Sequence, residues 1–129
     1  MSTYQEWRAS QERRRTVMNR RVRQGEYSLQ ELELGYANGA MSARRYLELV
    51  AMLPTSTDWV EAHRDDPDAE AAILVYAGPR DVLDGAIVEA AWEVEPGKLV
   101  VELRDCHPAV IACKPTDLLW MPNRPSLIP

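Results

Sequence analysis

Cys106, His107, Cys113 and His63 are the side chains here best suited to nucleophilic or metal chemistry, and their spacing argues against both. Zinc sites gather their ligands in close pairs such as Cys-x-x-Cys, a pattern that is missing. If Cys106 lies in a turn and Cys113 ends the strand that follows, a rise of about 3.3 Å per residue separates them by roughly 16–20 Å. Neither one zinc ion nor a disulfide spans that distance. A Cys106–His107 dyad needs a third group to orient the base and donors for an oxyanion. Asp105 is adjacent, yet sequence neighbours on extended chain point apart. A turn histidine before Pro108 and a core cysteine are the plainer expectation. Asp66-x-Asp68-x-Glu70 opens like a calcium loop but lacks the glycine at position six and the acid at position twelve, where Ala77 stands. No glycine-rich phosphate loop or nucleophile elbow occurs. The sequence thus predicts no catalytic residue, no metal site and no cofactor.

The chemistry that remains is electrostatic. Residues 1–23 hold seven arginines (8, 13, 14, 15, 20, 21 and 23) against Glu6 and Glu12, a net +5. The rest of the chain holds eight basic and eighteen acidic side chains, so the formal charge of −5 conceals two opposite regions. Segregated charge speaks of partners rather than of fold. Self-neutralisation is one expectation, with Glu31, Glu33, Asp65 and Asp66, or an identical subunit, supplying the carboxylates. An external acidic partner and nucleic acid are the other two. The helical arginines spread around the axis at 100° per residue instead of forming one phosphate-facing stripe, and the anionic remainder would be repelled by DNA.

These residues need elements to carry them. Thr3-x-x-Glu6 is a capping-box pattern and Gly25 a natural stop, and residues 4–24 contain no Gly or Pro, so a long first helix is predicted. Its apolar residues gather at its ends, Tyr4 and Trp7, then Val17, Met18 and Val22, so each end should dock while the polar middle stays bare or partner-covered. Ser28-x-x-Glu31 opens a second helix that ends at Asn38-Gly39. Ser42 caps a third, with Tyr46, Leu47, Val50 and Leu53 on one face and Pro54 after it. This pair reads as an αα-hairpin. A helix-turn-helix reading, with Arg44 and Arg45 toward bases, is weaker because the second helix needs its face for packing. Thr57-Asp58 should start a short helix reaching His63. Asp66-Pro67-Asp68 favours a further helix in which Ala69, Ala72, Ile73 and Tyr76 face inward, with a strand over 72–77 as the competitor.

From residue 86 the period becomes two. Val88, Ala90, Trp92 and Val94 alternate with wetter neighbours, Pro96-Gly97 suits the centre of a type II turn, and Leu99, Val101 and Leu103 share a face on the return. Ala109 to Cys113 and Leu118 to Met121 read as further extended pieces. The fold class is therefore α+β. An N-terminal helical region (1–66), with a long arginine-rich helix plus an αα-hairpin, precedes a small antiparallel β-meander (67–122) and an extended tail (123–129), all within one compact unit. By strand spacing alone the meander is reminiscent of small SH3-like barrels.

Nothing in residues 1–6 resembles an apolar signal region, and the longest apolar run, 71–77, is too short to span a bilayer. With two cysteines no disulfide framework arises, so reduced thiols, a cytoplasmic setting and no membrane partner are expected. Of the four tryptophans, Trp92 and Trp120 fit the β core, while Trp7 and Trp59 sit in sparse apolar company and are candidates for a contact surface. The function expected is a small non-enzymatic protein-binding module, a regulator, adaptor or inhibitor. It would use Trp7, Arg13, Arg14, Arg20 and Arg21 toward another protein or a second copy. A nucleic-acid-binding regulator using the same helix with Arg44 and Arg45 is the alternative.

Overall fold

The computed structural model describes residues 3–64 and 72–122, and the chain divides into two units, Met1–Pro54 and Thr55–Pro129. The first unit is three helices: α1 (Tyr4–Arg23), α2 (Leu29–Ala37) and α3 (Ala43–Met52). Their bounds follow from local hydrogen bonding. The Thr3 hydroxyl accepts the Glu6 N–H at 3.2 Å while the Glu6 carboxylate accepts the Thr3 N–H at 3.3 Å, so two of the orphan donors at the start of α1 are satisfied. At the other end Gly25 takes φ +79°, where an L side chain is strained. That turn lets the Gly25 N–H reach the Val22 carbonyl and the Glu26 N–H reach that of Arg21, each at 3.0 Å, a Schellman closure. Ser28 and Glu31 repeat the capping box on α2, and Ser42 caps α3 by accepting the Arg45 N–H at 3.1 Å.

The buried side chains of this unit are Val22 on α1, Leu29 and Leu32 on α2, Tyr46, Leu49 and Val50 on α3, and Leu53 beyond it. Tyr36 stacks on Tyr46 with centroids 4.8 Å apart and planes 8° apart, joining α2 to α3. Burial, reinforced by the Glu33 carboxylate, pushes the Tyr46 phenol above its ordinary pKa, so it stays neutral. Helix α1 touches α3.

In the second unit β1 (Thr57–Asp58) leads into the single-turn helix α4 (Trp59–Ala62), capped by Asp58 accepting the Glu61 N–H at 3.1 Å. Then follow β2 (Ala72–Tyr76), β3 (Val88–Glu95), β4 (Lys98–Leu103), β5 (Val110–Cys113) and β6 (Leu118–Pro122). A four-stranded antiparallel sheet has the order β1-β3-β4-β5, and β2 pairs with β6 in a second, two-stranded sheet. A bridge between Val75 and Ile87 links β2 to the chain entering β3. The β3–β4 turn uses Gly97 at φ +79°, the positive value that the third position of a type II turn requires. Trp59, Leu74, Tyr76, Leu99, Val101, Leu103, Ile111 and Leu118 are among the side chains that form this unit's core.

The α+β order of helices then strands is as the patterning implies, but five particulars differ. First, residues 72–76 are strand, not the C-terminal half of a helix. Ile73, Leu74, Val75 and Tyr76 each lie opposite a β6 residue, Met121, Trp120, Leu119 and Leu118, and that long-range ladder outweighs the helix-start signal. Residues 65–71, which hold that signal, and the tail 123–129 lie outside the described residues. Second, β6 leaves the meander to make this pairing, so only β3, β4 and β5 follow in meander order. Third, β3 does not alternate strictly. Register shifts between Val88 and Ala90 and between Glu93 and Glu95 bring Val88, Ala91 and Val94 inward, leaving Ala90 and Trp92 half-buried. Each irregularity breaks the period of two and turns the following side chains. Fourth, the short helix expected to reach His63 is present as α4, but Thr57 and Asp58 before it pair with β3 as a strand. Fifth, Trp59, a contact-surface candidate, is 7% exposed and belongs to the core. Among the described residues no helix is long and apolar enough to cross a membrane.

Gly78 follows β2 with no room for a side chain: a Cβ there would meet the Tyr76 Oη at 2.5 Å and its Cζ at 2.6 Å. Tyr76 is 2% exposed and its hydroxyl accepts the Arg80 N–H at 3.3 Å, so the ring cannot swing clear. Gly78→Ala is expected to destabilise the second unit by about 1–3 kcal/mol, the usual cost of overpacking, measured as a lower urea midpoint.

Candidate functional site

Twenty helical residues make α1 about 30 Å long, yet Val22 is the one side chain of it that is buried. Residues 4–8 and 11–17 are exposed, and 9, 10, 18 and 19 half-buried. The expected docking of both ends holds at the C-terminal end only. Tyr4 is 71% exposed and Trp7 55%, and their rings stack on each other, 6.1 Å between centroids, rather than on a core. The physical reason lies in residues 8–16, which contain only one apolar side chain, Ala9, and so build no stripe leading from Trp7 toward Val22. Val17, 42% exposed, adds to the bare apolar surface.

The arginines divide into two sets. Arg15 donates to Glu48 at 2.7 Å, Arg21 to Glu26 at 2.9 Å, and Arg8 lies 3.6 Å from Glu12. Arg21 also sits over the Tyr27 ring, 5.2 Å from its centroid. Arg45, its side chain 17% exposed, donates to the same Glu48 oxygen and to the Arg15 carbonyl, each at 3.4 Å. The side chains of Arg13, Arg14, Arg20, Arg23 and Arg44 make no ion pair or hydrogen bond among the described residues, and all are exposed. The arginines of α1 that pair find Glu12, Glu26 and Glu48; of the carboxylates anticipated, Glu31 is spent on the α2 capping box, and Asp65 and Asp66 lie outside the described residues. Glu48 was missed because its strongest partner, Arg15, lies 33 positions away, a separation no local pattern reports.

Glu48 is the electrostatic hinge of this surface. The Arg15 hydrogen bond, then its charge and that of Arg45, hold its carboxyl below the ordinary range despite some desolvation. Burial, and then the like charge of Arg15, lower the Arg45 guanidinium, with Glu48 opposing both. Solvent screening keeps exposed pairs of this kind weak, so they order α1 without neutralising it.

Between α1 and the start of α3 lies an open hollow of about 580 Å³ lined by Arg14, Arg15, Arg44, Arg45 and Glu48, with Ser42 and Met18 among the rest of its wall. On the neighbouring flank of α1 a smaller hollow of about 340 Å³ is lined by Arg13, Arg14, Val17 and Arg21, among others. The sequence-derived site residues are thus brought together in two overlapping groups that share Arg14. Trp7 and Arg20 line neither. Arg45 faces Glu48 and Arg15 rather than a groove-reading surface, which removes half of the base-reading pair inferred from the hairpin.

The second unit carries the cysteines and His107. Cys106 and Cys113 are free and half-buried against the core, and His107 is exposed. Among the described residues no hydrogen bond joins Cys106 to His107, and no three His, Cys, Asp or Glu side chains are grouped to hold a metal. Desolvation, with a smaller push from Asp117, raises the Cys113 thiol to about 12.

Two outcomes follow from these shifts. Since the thiolate is the nucleophile, Cys113 should resist iodoacetamide at neutral pH while the fold is intact and label readily once it is denatured, as mass spectrometry of the two samples would show. Because Glu48 is depressed in the folded chain, its stabilisation of the α1–α3 contact is complete above the ordinary carboxyl value of 4.5 and fades as pH falls below it. Hydrogen exchange of the α1 amides should therefore quicken on acidification in the wild type and be quick and nearly pH-independent, after correction for intrinsic rates, in Glu48→Gln. No protein-family model matches the chain, and no curated protein or solved structure matches it either.

Proposed function

We propose that this chain is a small non-enzymatic protein-binding module, a regulator or adaptor whose arginine-rich α1 engages an acidic partner protein. The observation that carries the reading is α1 itself: Trp7, Arg13, Arg14 and Arg20 stand in solvent, without carboxylate partners among the described residues, on a helix that buries one side chain. Exposed arginine beside exposed tryptophan is the composition of an interface centre, where both residue types concentrate binding energy. The first unit holds nine arginines and six glutamates, the second six basic and fourteen acidic side chains, so the cationic character is confined to the helices. An acidic partner meets attraction on that unit, and the chain's net −5 disfavours a polyanion that would have to run along the whole molecule. The two free thiols suit a reducing, cytoplasmic setting.

The test is a defined acidic helical peptide, titrated by anisotropy against wild type and the Arg13→Glu/Arg20→Glu pair. Reversing two exposed charges should weaken binding on the order of tenfold or more while leaving the melting temperature unchanged, because neither side chain packs. Trp7→Phe should remove the fluorescence change on complex formation. Tighter binding of duplex DNA than of the peptide, with a steep fall of affinity as salt rises, would replace this reading by the nucleic-acid one.

A further inference from the structure

We propose that the hollow between α1 and α3 is a receptor for a phosphorylated side chain of the partner, with the open guanidinium groups of Arg14 and Arg44 as its principal donors. The inference rests on the protein-binding reading and specifies its partner chemistry. Four arginines from two helices, Arg14, Arg15, Arg44 and Arg45, line one hollow, and a single carboxylate, Glu48, answers them. Glu48 is committed to Arg15 and Arg45. Arg14 and Arg44 are left with forked donors and no acceptor among the described residues, so the hollow carries an uncompensated excess of positive charge. A planar guanidinium fork matches phosphate oxygens bidentately, and two forks answer one dianionic group. A lone carboxylate would neutralise half as much. The start of α3 borders the same hollow through Ser42 and Arg44, and its first turn carries no carboxylate, so the helix dipole adds positive potential there.

The geometry favours one phosphoryl group over a nucleic-acid backbone. Glu48 lies in the wall, where a continuous phosphate chain would meet it. The arginines outside the hollow are spread around α1 rather than aligned in one track. Arg15 and Arg45 are positioning residues here: the Arg45 bond to the Arg15 carbonyl and their common hold on Glu48 draw α1 and α3 together and set the width of the gap.

The experiment uses the full chain, an acidic peptide carrying one phosphoserine, its unphosphorylated twin, and inorganic phosphate. The phosphopeptide should bind at least about tenfold more tightly than its twin, the scale of one charge-assisted contact. It should shift the Ala43, Arg44 and Arg45 amide resonances, and inorganic phosphate should compete for those same shifts. Arg44→Gln and Arg14→Gln should each erase the preference for phosphate with the melting temperature unchanged, and Arg44→Lys should restore it in part. Equal binding of the two peptides, or shifts confined to α1 outside the hollow, would overturn the phosphate site. If both peptides still bind and remain sensitive to Arg13→Glu/Arg20→Glu, the broader protein-binding reading survives that failure. If a duplex oligonucleotide displaces the phosphopeptide at lower concentration than the peptide itself binds, both readings fall.

Discussion

Two arginines from different helices, Arg15 and Arg45, share one carboxylate, and the way α1 is held against α3 depends on that arrangement. Helix α1 has little else to hold it: Val22 alone is buried, and the contact with α3 is narrow. Without Glu48 the two guanidinium groups would repel across the gap. With it they are held close, and the arginines that find no carboxylate among the described residues are displayed on either side. The exposed charge is a consequence of stoichiometry, since this unit has more arginines than glutamates and several of those glutamates are consumed by helix caps or neighbouring pairs.

A different constraint governs the second unit. Its strands bury residues from many parts of the sequence, so pairing partners rather than local preference decide each element. Strand β4 shows the result, with Leu99, Val101 and Leu103 buried on one face and Val100 on the other. The irregularities in β3 turn successive segments so that small and branched residues, Ala91 and Val94, reach the interior while Trp92 stays at the margin. The thiols are drawn into the apolar margin of this packing, and the burial there raises the Cys113 thiol.

The function we propose rests on charge placement rather than on bond-making groups. Aromatic surface at Tyr4 and Trp7, exposed arginines and a hollow rich in guanidinium are the features on which that proposal rests. The exposed part of α1 gains its order from its capping box and helix propensity, so the partner we propose would meet it without displacing it from a core.

The amino-acid sequence by itself determined the helices of the first unit almost to the residue. Thr3 with Glu6, Ser28 with Glu31, Ser42, Gly25 and Asn38-Gly39 act through hydrogen bonds within a few positions of one another, so the helix ends are encoded locally even where packing supplies most of the stability. It also fixed the segregation of arginine to the N-terminus and the β3–β4 turn. Only the tertiary structure decided that residues 72–76 are a strand, that β6 leaves the meander, that Trp59 is core, and that Glu48 restrains Arg15 and Arg45 while Arg14 and Arg44 stay open. The β2–β6 pairs join residues 42 to 50 positions apart, and Arg15 lies 33 positions from Glu48. The energy of such contacts appears only when the chain has folded, and no local spacing of residue types encodes it.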